Sequence, residues 1–132
     1  MNKTYYPTIE RIVEYNLLIL KFIKVKKADQ TKLLNKAKLR EVIEDCEGLE
    51  GDVHDKAVVL CKGIIQKHPF ASGNRRTAFV VTKEFLRKNK ARFGIKNEPR
   101  QARVMLGIRE RYYEDNEIKE WLKNGKIKEF RR

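Results

Sequence analysis

The chain has 132 residues, the size of one domain with a single core, and 41% of them are hydrophobic. Its 31 Lys and Arg residues against 18 Asp and Glu give a net charge of +13, which favours anionic partners. The longest apolar run, Leu17 to Leu20, is too short to span a membrane, and the first residues lack the apolar core of a signal peptide. We therefore expect a cytoplasmic protein without membrane association.

Helical periods fill most of the chain, so the sequence predicts an all-α fold: a compact bundle of about six helices in one domain over residues 1–132. The expected helices cover residues 7–25, 31–45, 55–67, 77–88 and 98–113, and a last one runs from Asp115 to about Leu122. We expect Asp115 to cap that last helix, and residues 91–97 to form a short extended piece.

A few isolated residues interrupt these patterns. Asn16 lies within the apolar stripe of the first helix and is expected to be a buried hydrogen-bonding residue. His54 stands among glycines and acidic residues, which indicates a solvated turn residue without a chemical role. Cys46 and Cys61 lack the spacing of a metal site, so we expect reduced thiols.

The segment between the third and fourth expected helices carries the functional signal. From His68 to Arg76 it reads His-Pro-Phe-Ala-Ser-Gly-Asn-Arg-Arg. Pro69 favours a helix end at His68, and a new helix follows the turn at Gly73. The first amides of a helix lack partners within it and attract anions, while glycine allows close approach and guanidinium groups suit phosphate oxygens. The sequence predicts a phosphate-binding site at this turn.

This pattern resembles the signature of the Fic/Doc superfamily, His-Pro-Phe-x-Asp/Glu-Gly-Asn-Gly/Lys-Arg, and in particular its Doc (death-on-curing) toxin branch. Further similar positions are Asp55-Lys56-Ala57, Leu60, Gly63-Ile64, Arg76-Thr77-Ala78, Phe85-Leu86 and Asn89. The similarity covers most of the chain and is strongest over residues 55–89. Ordered matches across two helices and a turn are far more specific than one histidine in a basic protein.

The resemblance implies a toxin that transfers a phosphoryl group from ATP, or another nucleotide, to a hydroxyl of a target protein in the translation apparatus. It makes His68 the general base, a task that suits its ordinary pKa. It also implies restraint by a separate antitoxin. The turn 46–52 is where the family keeps the flap that docks the target.

The resemblance also assigns the phosphate-binding residues. The backbone of Gly73, Asn74 and Arg75 would form an anion hole. The Asn74 side chain would help to position the phosphates, and Arg76 would bind them. Phe70 would anchor the loop in the core. Chemistry of this kind needs mainly positioning and charge stabilisation from the protein.

Ser72 departs from the family signature, because the family has there an Asp or Glu that holds Mg²⁺ against the phosphates. A serine hydroxyl can be a metal ligand but brings no charge. Three hypotheses remain open: weakened Mg²⁺ binding, an acidic residue from another segment, or partial replacement of the cation by Arg75. Enzymatic activity depends on which of them holds.

Phe79 is the second departure, since AMP-transferring Fic proteins carry an arginine at this place. Doc-type members also lack that arginine, and Arg75 stands where they have lysine and AMP transferases have glycine. Both features favour phosphoryl transfer over AMP transfer, which remains an alternative.

Two further alternatives remain open. A catalytically degenerate Fic-type domain would bind a nucleotide or phosphate and act as a regulator. A basic nucleic-acid-binding module would use three clusters of positive charge on backbone phosphates. These clusters are Lys21, Lys24, Lys26 and Lys27; Arg87, Lys88, Lys90 and Arg92; and residues 123–132. A solvated basic surface is the favoured explanation of these clusters.

Overall fold

Helix α3 (Val53–Lys67) forms the centre of the fold in the computed structural model, which describes residues 3–22 and 32–132. The other helices of these residues are α1 (Ile9–Phe22), α2 (Lys36–Gly48), α4 (Asn74–Lys88), α5 (Arg100–Arg109) and α6 (Asp115–Asn124). Helix α3 packs against α2, α4, α5 and α6, and α1 packs against α4 and α2. The predicted compact all-α bundle of six helices is confirmed over the described residues.

The apolar spacing of α3 explains its central place. Leu60 and Ile64 are fully buried, and Cys61 and Ile65 on the adjacent face are 1% exposed, so the helix has core on two sides. Burial of each large aliphatic side chain contributes about 1.5–3 kcal/mol. Both cysteines are free, as predicted. Both are also buried, and burial raises the pKa of each thiol to about 12.

The bounds of the first two helices differ from the predicted ones. Helix α1 reaches Phe22, and its predicted extension to residue 25 lies outside the described residues. Helix α2 begins at Lys36 because the Asn35 side chain accepts a hydrogen bond from the Lys38 amide at 3.0 Å and caps it. Residues 32–35 precede the helix, and α2 continues to Gly48, beyond its predicted end.

The prediction that His54 lies in a solvated turn is wrong. Helix α3 begins at Val53, two residues before the expected start, because Asp52 caps it and forms a capping box with Asp55. His54 is therefore helical and only 9% exposed. Its Nε2 lies 2.7 Å from the carbonyl oxygen of Arg92, so it fastens the segment after α4 to α3.

The end of α5 and the cap of α6 also differ from the predicted ones. Helix α5 ends at Arg109, short of the predicted residue 113, because Arg111 adopts a left-handed conformation and turns the chain. The cap of α6 is Glu114, whose side chain forms a capping box with Glu117, whereas Asp115 is the first helical residue.

Residues 91–97 are irregular and form no strand pairing among the described residues. The Gly94 amide donates to the carbonyl of Leu122 at 2.9 Å, which joins this segment to α6. A Cβ at Gly94 would lie 2.3 Å from the Lys123 carbonyl oxygen, so only glycine fits there. Within residues 3–22 and 32–132, no helix combines the length and apolarity needed to cross a membrane.

Candidate active site

His68 terminates α3 in a left-handed conformation, with φ 53° and ψ 56°, and its amide donates to the Ile64 carbonyl at 3.3 Å. This conformation costs a residue with a Cβ about 1–2 kcal/mol, so the surrounding structure must hold it. The loop after it runs through Pro69 to Gly73 and enters α4 directly. A histidine held at such a junction has a defined position relative to the start of α4.

The Asn74 side chain closes this loop on itself. Its Oδ1 accepts from the Phe70 amide at 3.0 Å, and its Nδ2 donates to the Phe70 carbonyl at 2.9 Å. Asn74 is 3% exposed and Phe70 is 1% exposed, so the phenyl ring lies in the core beneath the loop. The Asn74 carboxamide thus holds the loop backbone, and its backbone amide is the group that faces a ligand at the helix start.

Helix α1 supports the loop from the other side through Asn16. Its Nδ2 donates to the Ser72 carbonyl at 2.9 Å and to Thr77 Oγ1 at 3.1 Å, and the residue is 1% exposed. The prediction of a buried hydrogen-bonding residue is confirmed. Gly73 has a φ of 77°, and a Cβ there would lie 3.1 Å from Leu20 and 3.3 Å from Asn16. Close support and backbone conformation both favour glycine.

The backbone beside the loop belongs to residues 32–35. Leu33 and Phe70 form an isolated antiparallel bridge, the Ala71 amide donates to the Lys32 carbonyl at 2.8 Å, and the Leu34 amide donates to the Pro69 carbonyl at 2.8 Å. Residues 46–52, expected to form a turn with a target-docking flap, contain the end of α2 and the residues before α3, whereas His68 follows α3. Since α3 has 15 residues, about 20 Å separate them. That turn therefore does not adjoin the loop.

A cavity of about 430 Å³ opens between the start of α4 and α5. Five predicted site residues line it together: His68, Gly73, Asn74, Arg75 and Arg76. Phe70 and Ser72 are not part of this lining. The Phe70 ring lies in the core, and the Ser72 carbonyl accepts a hydrogen bond from Asn16 Nδ2. The volume falls in the range of small-molecule sites.

The opposite wall comes from α5, which sequence reasoning missed. Ala102, Met105, Leu106 and Arg109 recur at spacings of three and four and share one helix face, and Arg103 adjoins them. This period was visible in the sequence, but nothing local indicated that the face meets the loop. Four cationic side chains, the cavity arginines, therefore surround the space: Arg75, Arg76, Arg103 and Arg109.

The electrostatics of the cavity keep His68 neutral. Partial burial of the imidazole, followed by the positive charges of Arg109, Arg75 and Lys38, lowers the pKa of His68 below its ordinary 6.5. The residue as a whole is exposed, so water screens part of this effect. At neutral pH the ring has a free lone pair and can accept a proton.

The pKa of Arg75 is also lowered in this cavity. Partial burial and then the charges of Arg109 and Arg76 lower the pKa of its guanidinium. No carboxylate lines the cavity among the residues that the structure describes. The convergence of Arg75 and Arg109 on this cavity favours an anionic ligand.

Among the described residues, the donor set of the loop and cavity does not fit a protein-held Mg²⁺ ion. Magnesium prefers oxygen ligands that include one or two carboxylates, and Ser72 offers a neutral hydroxyl. Over residues 3–22 and 32–132, no group of three His, Cys, Asp or Glu side chains could hold a metal ion.

A model of the Fic/DOC family matches residues 21–86, half of the chain, and these residues include α2, α3, the loop and most of α4. The chain belongs to the Fic/DOC family. No curated protein matches the sequence. Members of the Fic/DOC family transfer nucleotidyl or phosphoryl groups, generally act on protein targets and have antitoxin partners. The matched residues end before α5, so the family match does not cover the wall that carries Arg103 and Arg109.

Phe79 lies one turn into α4. Its ring packs edge-to-face on Phe93 at a centroid distance of 5.5 Å, and it does not belong to the cavity lining. The position therefore contributes an aromatic contact with the segment after α4 and no cationic group to the cavity.

Proposed function

We propose that this Fic/DOC protein is a Doc-type toxin that transfers the terminal phosphoryl group of a nucleoside triphosphate, with ATP as the first candidate, to a hydroxyl of a target protein. The observation that carries the proposal is that His68, the start of α4 and four arginines line one cavity. Partial burial and the nearby positive charges lower the pKa of His68, which favours its neutral form. The target class, the translation apparatus, and a separate antitoxin follow from the similarity to the Doc branch.

The residues divide the reaction between them. The neutral imidazole of His68 takes the proton of the target hydroxyl while the hydroxyl oxygen forms a bond to the terminal phosphorus. The bond from that phosphorus to the bridging oxygen breaks, and the nucleoside diphosphate leaves. The amides of Gly73, Asn74 and Arg75 and the Arg76 guanidinium hold the phosphate oxygens.

Phosphoryl transfer is the form of the reaction that this cavity supports best. Position 79 carries a phenyl ring turned toward Phe93, so no second guanidinium from this turn meets the nucleotide. Arg75 supplies a cation where AMP-transferring relatives have glycine. Both features favour a nucleotide held with its terminal phosphate toward His68, as in the Doc branch.

Transfer of label from γ-labelled ATP to proteins of a cell extract tests the proposal. We expect a discrete labelled protein with wild type and none with His68→Ala, while Lys126→Ala, an exposed residue outside the cavity, labels normally. The same extract with α-labelled ATP detects AMP transfer. Label from the α position alone would replace phosphoryl transfer by AMP transfer, and absence of both labels would contradict the proposal.

Ser72 favours one second candidate, a regulator that binds a nucleotide or phosphate without turning it over. ATP binding without any His68-dependent label would support it. The basic clusters give less support to a nucleic-acid module. Arg87, Lys88, Lys90 and Arg92 are exposed after the cavity helix, whereas Lys24, Lys26 and Lys27 lie outside the described residues. Affinity for RNA or DNA that falls steeply with salt and is unaffected by His68→Ala would indicate that function.

A further inference from the structure

We propose that Arg109 binds the phosphates of the nucleotide from α5 and supplies, with Arg75, positive charge that a metal ion would otherwise provide. This inference rests on the proposed function and deepens it. It names a phosphate-binding residue outside the loop motif and outside the part of the chain that matches the family. The ligand it implies is a nucleotide with at least two phosphates, bound without a resident metal.

The geometry of α5 places Arg109 opposite the loop. Met105 and Leu106 line the cavity one turn earlier on the same face, and Arg109 continues that face at the last residue of the helix. Apolar side chains therefore form the wall, and the guanidinium stands at its end. The start of α4 lies across the cavity, so groups from both helices can contact one polyanion.

The charge of Arg109 lowers the pKa of two other cavity residues, His68 and Arg75. Among the charges around His68 its effect is the largest, and the same is true around Arg75. The three residues line one cavity, so the charge of Arg109 faces both of them. No ion pair joins Arg109 or Arg75 to an acidic side chain among the described residues. An anion with several charges would offset the repulsion between them.

Arg103 is less suited to this task although it lines the same cavity. Its Nε donates to the Phe130 carbonyl at 3.1 Å, and its guanidinium lies over the Phe130 ring at 5.4 Å. These contacts tie Arg103 to the C-terminal segment. Arg109 has no such contact with the residues that the structure describes, so it is the cavity arginine of α5 that is available to a ligand.

Replacing the metal charge by guanidinium groups follows from the donor set. The loop offers Ser72 at the place of the family's carboxylate, and no acid lines the cavity among the residues described. Arginine carries a permanent charge and donates two parallel hydrogen bonds to phosphate oxygens. Two arginines on opposite walls can therefore hold a polyphosphate and neutralise part of its charge.

The first test measures the pKa of His68 by NMR in the ligand-free protein, which is practicable because the chain has only two histidines. Arg109→Gln should raise the pKa of His68 toward 6.5, since a positive charge is lost. Arg100→Gln removes the same charge from the first residue of α5, whose guanidinium pairs with Glu98, and should leave that pKa unchanged. An unchanged pKa in Arg109→Gln would overturn the proposed geometry.

The second test measures binding of ATP, ADP and AMP by calorimetry in EDTA. Arg109→Gln should weaken ATP and ADP about tenfold and AMP less, as expected for loss of a charge-assisted hydrogen bond to the outer phosphates. Arg109→Lys should recover part of the loss, and Arg100→Gln should bind like wild type. Circular dichroism of each variant confirms that the helices are retained.

The outcomes separate this inference from the proposed function. If wild type binds ATP in EDTA and Arg109→Gln binds it equally well, the role of Arg109 is overturned while the transfer reaction stands. If wild type binds ATP only with Mg²⁺, charge replacement by arginine is overturned. If wild type binds no nucleotide and transfers no label, both proposals fall.

Discussion

Two arginine environments in this molecule differ in how their charge is balanced. Between α1 and α4, Arg11 binds the Glu84 carboxylate through Nη2 at 2.9 Å, and the hydroxyls of Tyr5 and Tyr15 donate to the same carboxylate. Partial burial alone would raise the pKa of Glu84, but the hydrogen bonds from Arg11, Tyr15 and Tyr5 outweigh it and lower that pKa to about 2. Arg75 and Arg109 instead line one cavity, which has no lining carboxylate among the described residues.

The difference separates a structural cation from ligand-binding ones. A guanidinium whose carboxylate partner is part of the fold has its charge already balanced and holds two helices together. Cations that face a cavity without an acid leave their balance to a ligand. Substitutions around Glu84 should therefore lower the stability of the fold and leave the transfer rate unchanged. Substitutions in the cavity should lower the transfer rate and leave stability unchanged.

The largest effect is expected for His68→Ala, which should lower the transfer rate by about 10²–10⁴-fold because the proton acceptor is lost. The dissociation constant of ATP and the melting temperature should change little, since the residue is exposed. Single-turnover transfer and calorimetry measure the two quantities. A variant with a normal rate would exclude His68 as the base.

Asn16→Ala should change both stability and transfer rate, because Asn16 lies in α1 and its side chain supports the cavity loop. Loss of two buried hydrogen bonds should reduce the free energy of unfolding by about 1–3 kcal/mol and also slow transfer. Leu17→Ala, a neighbouring residue that is 49% exposed, serves as the control and should change stability by less than about 0.5 kcal/mol. Stability loss with a normal rate would show that the loop keeps its shape without this support.

Glu84→Gln should reduce the free energy of unfolding at neutral pH by about 1–3 kcal/mol, because Arg11 and two tyrosines lose their charged acceptor. A carboxylate whose pKa is lowered on folding stabilises above its ordinary pKa of 4.5, and this contribution is lost as the pH falls toward about 2. Denaturant unfolding from pH 7 to 2 should show a flatter acid limb for the variant.

The control for Glu84→Gln is Glu14→Gln, which removes the other carboxylate bound by Arg11. Glu14 is 54% exposed, and surface ion pairs contribute little, so its effect should be about 0.5 kcal/mol or less. Transfer rates of both variants should equal that of wild type. A Glu84→Gln variant with a reduced transfer rate and an unchanged free energy of unfolding would contradict the structural role of this carboxylate.

The smallest effect concerns the acid limb of the pH–rate profile. The pKa of His68 is lowered below 6.5 by partial burial and by Arg109 of α5, Arg75 of α4 and Lys38 of α2, so the neutral base persists to lower pH than for a free histidine. The midpoint of kcat/KM should lie below 6.5 and move upward in Arg109→Gln. A midpoint above 6.5 in wild type would indicate another base or a negative charge at the site.

Local sequence features determined the helices and the candidate loop. The apolar period of α3 and the Pro69 after it predicted a helix that ends at His68, since periodicity and proline act over a few residues. The motif residues from His68 to Arg76 indicated the Fic/DOC family before their spatial arrangement was known. Helix starts were less accurate, because side-chain caps such as Asp52 and Glu114 decide them.

Only the tertiary structure decided which parts of the chain meet. Arg109 stands more than thirty residues beyond the loop, and no local pattern indicates that α5 closes the cavity. The burial of His54 on Arg92 and the support of Ser72 by Asn16 likewise join segments far apart in sequence. Helix periods specify which face is apolar, whereas the packing of α3 against α5 and α4 specifies which charges converge.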